Sequence, residues 1–202
     1  TRTAVRRTLT LIGSATVAAI ALVACSAPAT TPTPDVIDEM EEIHDAMMGD
    51  HGLTGMDAVE IIDSYDAMPM ADRPTDLRFS IRPDGLMVMD ADRETVVEMP
   101  EDMFYVSMAP YVDQTHDCYF HSLTTCTGEL ANVEMHNTVT DAEGEIGLDE
   151  TMTTFDNGFV GMWLPWGIDG AVTVEYDGMT ATGPLSTMTA EDPTCITTMQ
   201  LG

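Results

Sequence analysis

Residues 77–90 read LRFSIRPDGLMVMD, and this stretch decides the fold. Apolar side chains at Leu77, Phe79 and Ile81 alternate with polar ones, the period-two pattern of a strand with one buried face. Asp84-Gly85 then breaks the pattern as a hairpin turn signal. Toward the C-terminus the same signals recur. ETVVEMP (94–100) and FYVSMAPYV (104–112) read as strands. ANVEMHNTVTDAEGEIGLDETMTTFDNGFVGMWLP (131–165) alternates around turns at Ala142-Glu143-Gly144 and Asp156-Asn157-Gly158. GAVTVEYDGMTATGPLST (170–187) is a hairpin about Asp177-Gly178. Strands at this spacing with Gly/Asp turns predict an antiparallel sandwich or barrel.

Toward the N-terminus the period becomes helical. In DVIDEMEEIHDAMM (35–48), Val36, Met40, Ile43 and Met47 recur on one face, and Asp35 and Asp38 suit a helix start. GDHGLTG (49–55) interrupts the run. Thr54 is then expected to cap a second helix, GMDAVEIIDSYDAM (55–68), with Val59, Ile62 and Tyr65 on one face. Pro69 and Pro74 end it. The expected fold class is α+β: a small helical N-terminal region (35–74) packed on a β-rich, antiparallel sandwich- or barrel-like C-terminal domain (75–202).

A length of 202 residues suits one ordinary domain plus a small extra piece, and 44% hydrophobic content permits a real core. The charge is lopsided, with 7 Lys+Arg against 35 Asp+Glu, a net charge of -28 and no lysine. Such a field repels nucleic acid and anionic lipid, so no nucleic-acid partner is expected. It attracts cations, but diffuse carboxylates alone do not build a specific site.

Residues 1–24 read as a lipoprotein signal peptide. TRTAVRR is its basic region and TLTLIGSATVAAIAL its apolar one. LVAC (22–25) resembles a bacterial lipoprotein cleavage site, which would make Cys25 the lipidated first residue of an exported protein. Arg6-Arg7 also fits a twin-arginine signal. SAPATTPTP (26–34) completes a Pro/Thr tether over 25–34. The mature chain then keeps three cysteines, Cys118, Cys126 and Cys195, in a compartment that permits disulfides. A purely structural pairing would leave one of them odd.

Two of these cysteines lie in THDCYFHSLTTCTGEL (115–130), beside His116 and His121. A hairpin centred on Ser122 would face Cys118 to Cys126 with His116 on their side. A helix would instead put Cys118 and His121 on one face. Ser122, Thr124 and Thr125 favour a loop. Three chemistries fit: a Cys118–Cys126 disulfide, a Cys–His nucleophile, or a soft-metal site for copper or zinc. The nucleophile lacks a visible oxyanion hole, and thiol exchange would prefer C-x-x-C, which is absent. A second motif is a Met/His stripe: Met40, His44, Met47, Met48 and His51 recur at spacings of three and four. It reads as a secondary copper site or as helix core plus exposed histidines. His136 reads as structural. Tyr119, Phe120, Trp163 and Trp166 are candidates for an apolar shell around a site.

PYVDQTHDCYFHSLTTCTGEL (110–130), TTFDNGFVGMWLP (153–165), DPTCITTMQL (192–201) and GLTGMDAVEIIDSYDAMP (52–69) closely resemble the CueP family of bacterial periplasmic copper-binding proteins. The likeness runs over most of residues 50–201. It implies copper held by Cys118, Cys126 and Cys195, with His116 and His121 as assisting imidazoles. It further implies a role in copper resistance, supply of copper to an exported Cu,Zn superoxide dismutase, and a proposed Cu(II)-reducing activity. The lipobox and tether depart from the soluble periplasmic members. The expectation is an exported, lipid-anchored protein that sequesters Cu(I) at a three-cysteine site, with Cu(II) admitted, zinc less favoured and a homodimer allowed. The alternatives are a thiol-dependent Cu(II) reductase and a structural lipoprotein with one disulfide.

Overall fold

The change of period before Leu77 is where helix gives way to strand. The computed structural model describes residues 34–202, so the signal peptide, Cys25 and all of the tether but Pro34 lie outside the described residues. Helix α1 spans Pro34–Asp50 and α2 spans Ala58–Asp66. Proline suits the opening position of α1, where its missing N–H would have had no helical partner. The cap of α2 is Asp57 rather than Thr54. The Asp57 carboxylate accepts from the Glu60 N–H at 2.9 Å, and the Glu60 carboxylate accepts from the Asp57 N–H at 3.2 Å. Gly55 at φ 79° occupies the left-handed region, so the helix cannot begin at Thr54. The buried face of α2 is Ala58, Ile61, Ile62 and Asp66, with Val59 and Tyr65 only half-buried. No described helix is long and apolar enough to cross a membrane.

Ten strands follow: β1 (Arg78–Arg82), β2 (Gly85–Met89), β3 (Glu94–Glu98), β4 (Met103–Met108), β5 (Glu134–Asp141), β6 (Ile146–Thr153), β7 (Val160–Pro165), β8 (Asp169–Tyr176), β9 (Met179–Ser186) and β10 (Cys195–Ile196). They form three sheets, ordered β1-β2-β3, β10-β4-β7 and β6-β5-β8-β9. All pairings are antiparallel except β10 with β4. The first hairpin turns at Pro83-Asp84, one residue earlier than expected, because Gly85 already pairs with Arg82. Gly85 is needed for packing instead: a Cβ there would meet Val96 Cγ1 at 2.6 Å. The last hairpin turns at Asp177-Gly178 with φ 49° and 77°, as a tight β-hairpin requires.

Strand β4 organises the molecule. Phe104, Val106 and Met108 face a core shared with β7 and the four-stranded sheet. Tyr105 faces a second core built from α1, α2 and the β1-β2-β3 sheet, with Met47, Leu53, Ile61, Ile62, Phe79 and Ile81. Burial on both faces explains why Phe104, Tyr105 and Val106 follow one another in this strand instead of alternating with exposed polar residues. A third, small cluster of Ala109, Cys126, Phe159 and Cys195 holds half-buried Cys118 against it.

Candidate metal centre

The chain from Ala109 to Val133 contains neither the hairpin nor the helix that its Cys/His spacing allows. It is a loop, with turns and one isolated bridge, Tyr111 to Gln200. A loop holds side chains in place only if its backbone groups find partners elsewhere. Here they do. The Ile81 N–H of β1 donates to the His121 carbonyl at 2.8 Å. The His121 N–H donates to Thr194 Oγ1 at 3.0 Å, and that hydroxyl donates on to the Ile81 carbonyl at 2.6 Å. The N–H groups of Thr194 and Cys195 share the Tyr119 carbonyl at 3.1 and 3.0 Å. Thr115 Oγ1 donates to the Thr197 carbonyl at 2.7 Å. Glu129 collects the N–H groups of Val112, Asp113 and Gln114. The loop is thereby tied to β1 and to the segment that carries Cys195.

These ties bring the cysteines together. All three are free thiols. Cys118 Sγ and Cys126 Sγ stand 3.5 Å apart. Cys195 enters from β10, paired opposite Ser107 of β4, and its Sγ lies 3.8 Å from His121 Nδ1. Two potential ligand sets result, His116 with Cys118 and Cys126, and His121 with Cys126 and Cys195; within each, the ligand atoms lie within 4.8 Å of one another. Cys126 belongs to both.

The electrostatics favour one thiolate. Cys126 accepts hydrogen bonds from Cys118, then Cys195, and lies near the His121 cation, so its pKa falls well below the usual thiol range. Its Sγ also accepts the Ser122 N–H at 3.4 Å. The donors respond in the opposite sense. Hydrogen bonding to the Cys126 sulfur pushes the Cys118 thiol up to about 12. Cys195 is raised by its hydrogen bonds to Cys118 and Cys126 and by burial.

Beneath His121 lies a residue that the sequence reading did not single out. Asp66, the last residue of α2, is fully buried. Its carboxylate accepts from Tyr105 Oη at 2.6 Å, Asn157 Nδ2 at 2.9 Å, His121 Nε2 at 3.0 Å and Ser107 Oγ at 3.1 Å. Arg73 approaches it at 3.9 Å and donates to the Asp66 carbonyl at 2.8 Å. Burial opposes charge on His121, but the Asp66 carboxylate outweighs it and holds the imidazole up to about 9. Burial likewise opposes charge on Asp66, and the His121 cation and three donors hold its carboxyl below the usual range. With Nε2 committed to Asp66, the His121 ring presents Nδ1 to the sulfurs, the carboxylate–histidine arrangement that orients ligands around metals. The available signal was an acidic residue on the apolar face of α2, four positions after Ile62.

The other sequence candidates disperse. Met40 is exposed, while Met47 and Met48 are buried in the helix-side core. His44 Nδ1 meets Thr95 Oγ1 at 2.9 Å, and His51 Nε2 meets Asp90 at 3.4 Å. His136 pairs with Asp149 at 2.8 Å on the surface. Trp163 packs on Tyr105 and Trp166 on Phe104, so both tryptophans belong to the two larger cores rather than to a shell around the thiols. Tyr119 is largely exposed. The ring at the thiols is Phe159, fully buried, with its centroid 4.6 Å from that of His121 and 6.2 Å from that of His116.

The chain is similar to proteins already known. A family model described as periplasmic copper-binding protein CueP matches residues 60–200. The crystal structure of S.CueP is 34% identical, covers 79% of this chain and 97% of its own, and superposes with a TM-score of 0.73. No curated protein matches the chain.

Proposed function

The chain belongs to the CueP family of periplasmic copper-binding proteins, and we propose that Cys118, Cys126 and Cys195 hold one Cu(I) as a sulfur-ligated centre that sequesters copper and yields it to an exported cuproenzyme. The convergence of thiols from a loop and from a strand far along the chain carries this reading. With metal–sulfur bonds of about 2.3 Å, three sulfurs around a trigonal ion stand ~4.0 Å apart. The 3.5 Å between Cys118 and Cys126 lies close to that spacing, and the Cys195 sulfur is within 4.8 Å of the Cys126 sulfur. Soft thiolates suit Cu(I), and Ala109 and Phe159 supply apolar packing around Cys126 and Cys195. His121, beside Cys195, offsets thiolate charge or lends a nitrogen; His116 is the outer candidate. In the same proposal, residues 1–24 direct export, Cys25 carries a lipid anchor, the 25–34 tether spaces residues 35–74 and 75–202 from the membrane, and the recipient is an exported Cu,Zn superoxide dismutase. A homodimer is compatible with it.

A titration of the reduced protein against a chromophoric Cu(I) chelator tests the centre. One tight Cu(I) per chain is expected, weakened by at least ~100-fold in Cys126→Ser, since even supporting residues around a metal cost 10–100-fold. Equal affinity in the triple Cys→Ser variant would refute it.

One observation favours a second reading. The Cys118 thiol and the facing Cys126 thiolate can deliver two electrons to two Cu(II) ions, giving one disulfide, two Cu(I) and the proton of Cys118. Thiol counting before and after Cu(II) addition separates the readings: binding preserves all three thiols, and reduction consumes two. Turnover beyond that needs an electron donor.

A further inference from the structure

The two ligand sets around Cys126 differ in every physical respect except that shared sulfur. The inner one is sealed: His121, Cys126 and Cys195 are each buried. Its imidazole is fixed at Nε2 by Asp66 and along its backbone by Thr194 and Ile81. The outer one opens to solvent. His116 lines a surface pocket of about 350 Å³ together with Thr127, Gly128 and Glu129. Its side chain has no hydrogen-bond partner among the described residues, and Cys118 beside it is only half-buried. Thr115, next in the chain, donates its hydroxyl to the Thr197 carbonyl, which anchors the loop beside His116.

From this contrast we infer that copper is loaded and released through the outer set, His116–Cys118–Cys126, and reaches its resting place when Cys195 replaces His116 as ligand. The relay rests on the copper-binding reading and adds an order of events to it. Cys118 and Cys126 stay bound throughout. One nitrogen leaves as one sulfur joins, and the proton of the Cys195 thiol passes to the freed His116 imidazole or to solvent, so no naked ion forms and the coordination number stays constant. No electron moves in the step. The direction follows from the ligands: a soft ion prefers the third sulfur to the imidazole. The distance is short, because the Cys126 sulfur lies within 4.8 Å of the leaving His116 nitrogen on one side and of the incoming Cys195 sulfur on the other. Phe159, fully buried, packs against both imidazoles and lends the cluster an apolar wall. A direct route from solvent to Cys195 is closed by the Tyr119 carbonyl contacts and by burial of the thiol itself.

Transfer kinetics test the relay. The probe is the Cu(I)–bicinchoninate complex, mixed with reduced full-length chain in a stopped-flow instrument, with the reverse transfer followed in excess chelator. In His116→Ala, uptake and release should both slow by the same factor, about ten-fold or more, with Kd unchanged, the signature of an interaction made only on the path. In Cys195→Ser the metal should stop at the outer set. Adding His116→Ala to that background should then weaken Kd, although the same change leaves Kd of the wild type alone. His116→Gln, which keeps the side-chain size, should behave as His116→Ala does. A weakened Kd with unchanged uptake in His116→Ala would make His116 a resident ligand and overturn the relay. Unchanged rates in both His116 variants would overturn it as well. Failure of the wild type to take Cu(I) at its cysteines would instead remove the copper reading itself.

Discussion

His116 and His121 flank the same sulfur cluster within one loop, yet they are held in opposite ways. His121 is buried, packed at a tilt against Phe159 and hydrogen-bonded to a carboxylate from α2, 55 residues earlier in sequence. His116 touches the same ring from the solvent side and lines an open pocket. An imidazole can be kept in the interior only when each polar atom is matched, and the cost of that matching recruits Tyr105, Ser107, Asn157 and Arg73 around Asp66. An imidazole at the rim needs no such support and keeps its mobility. The inner arm is therefore part of the architecture, and the outer arm is an attachment to it.

The sharpest way to break this contrast is to remove the inner support. Asp66→Asn keeps the shape and deletes the charge, leaving His121 and Arg73 in the interior without their counter-ion. Breaking a buried ion pair from one side costs about 3–5 kcal/mol. For a chain of this size that corresponds to a fall in Tm of roughly 6–20 °C. Thermal unfolding of the copper-free protein measures it. A fall under roughly 2 °C, the equivalent of less than 1 kcal/mol, would show that the inner arm is not architectural.

A smaller effect concerns pH. His121 is held up to about 9 when folded against 6.5 unfolded. Its stabilisation is complete below 6.5 and is lost as pH rises through 9. Cys126 is depressed from its unfolded value near 9, so its contribution is complete above 9 and declines as pH falls below it. Between these limits the two slopes oppose each other, and the copper-free wild type should change little in stability. In Cys126→Ser the thiolate is gone, while Asp66, the larger support of the imidazolium, remains. Stability should then fall with rising pH at up to about 1.4 kcal/mol per pH unit, one proton's worth. Denaturant melts at pH 6.5 and 8.5 would show it; equal stability at both would mean that His121 does not hold its proton.

The α+β class was legible because the period of the apolar residues changes between Tyr65 and Leu77, and the strands followed from alternation and Gly/Asp turns. The errors were local. Thr54 lost the cap to Asp57 because Gly55 adopts a positive φ that the letters alone do not announce. The first hairpin turned one residue early because Gly85 already pairs with Arg82 as the first residue of β2. At the candidate centre, the types and numbers of the cysteines and histidines were visible. What was hidden was everything set by long-range backbone bonds: that the loop is tied to Ile81 and Thr194, and that a helix ends in a carboxylate placed under His121. Such partners are tertiary facts with no local periodicity. Only the acidic break in the α2 stripe hinted at Asp66.

The smallest expected effect belongs to the outer arm. His116→Ala removes a ring that makes no hydrogen bond among the described residues and leaves Phe159 covered from the other side by His121. The anchoring bond from Thr115 to Thr197 uses a different residue and survives. Surface substitutions of this kind change stability by within about 0.5 kcal/mol, a shift in Tm of about 1–2 °C at this size. Measured beside Asp66→Asn under the same conditions, the pair of variants separates the arms directly. A large loss in His116→Ala would mean that the rim imidazole also props the loop, and slow copper transfer in that variant would then reflect a displaced Cys118 rather than a missing ligand.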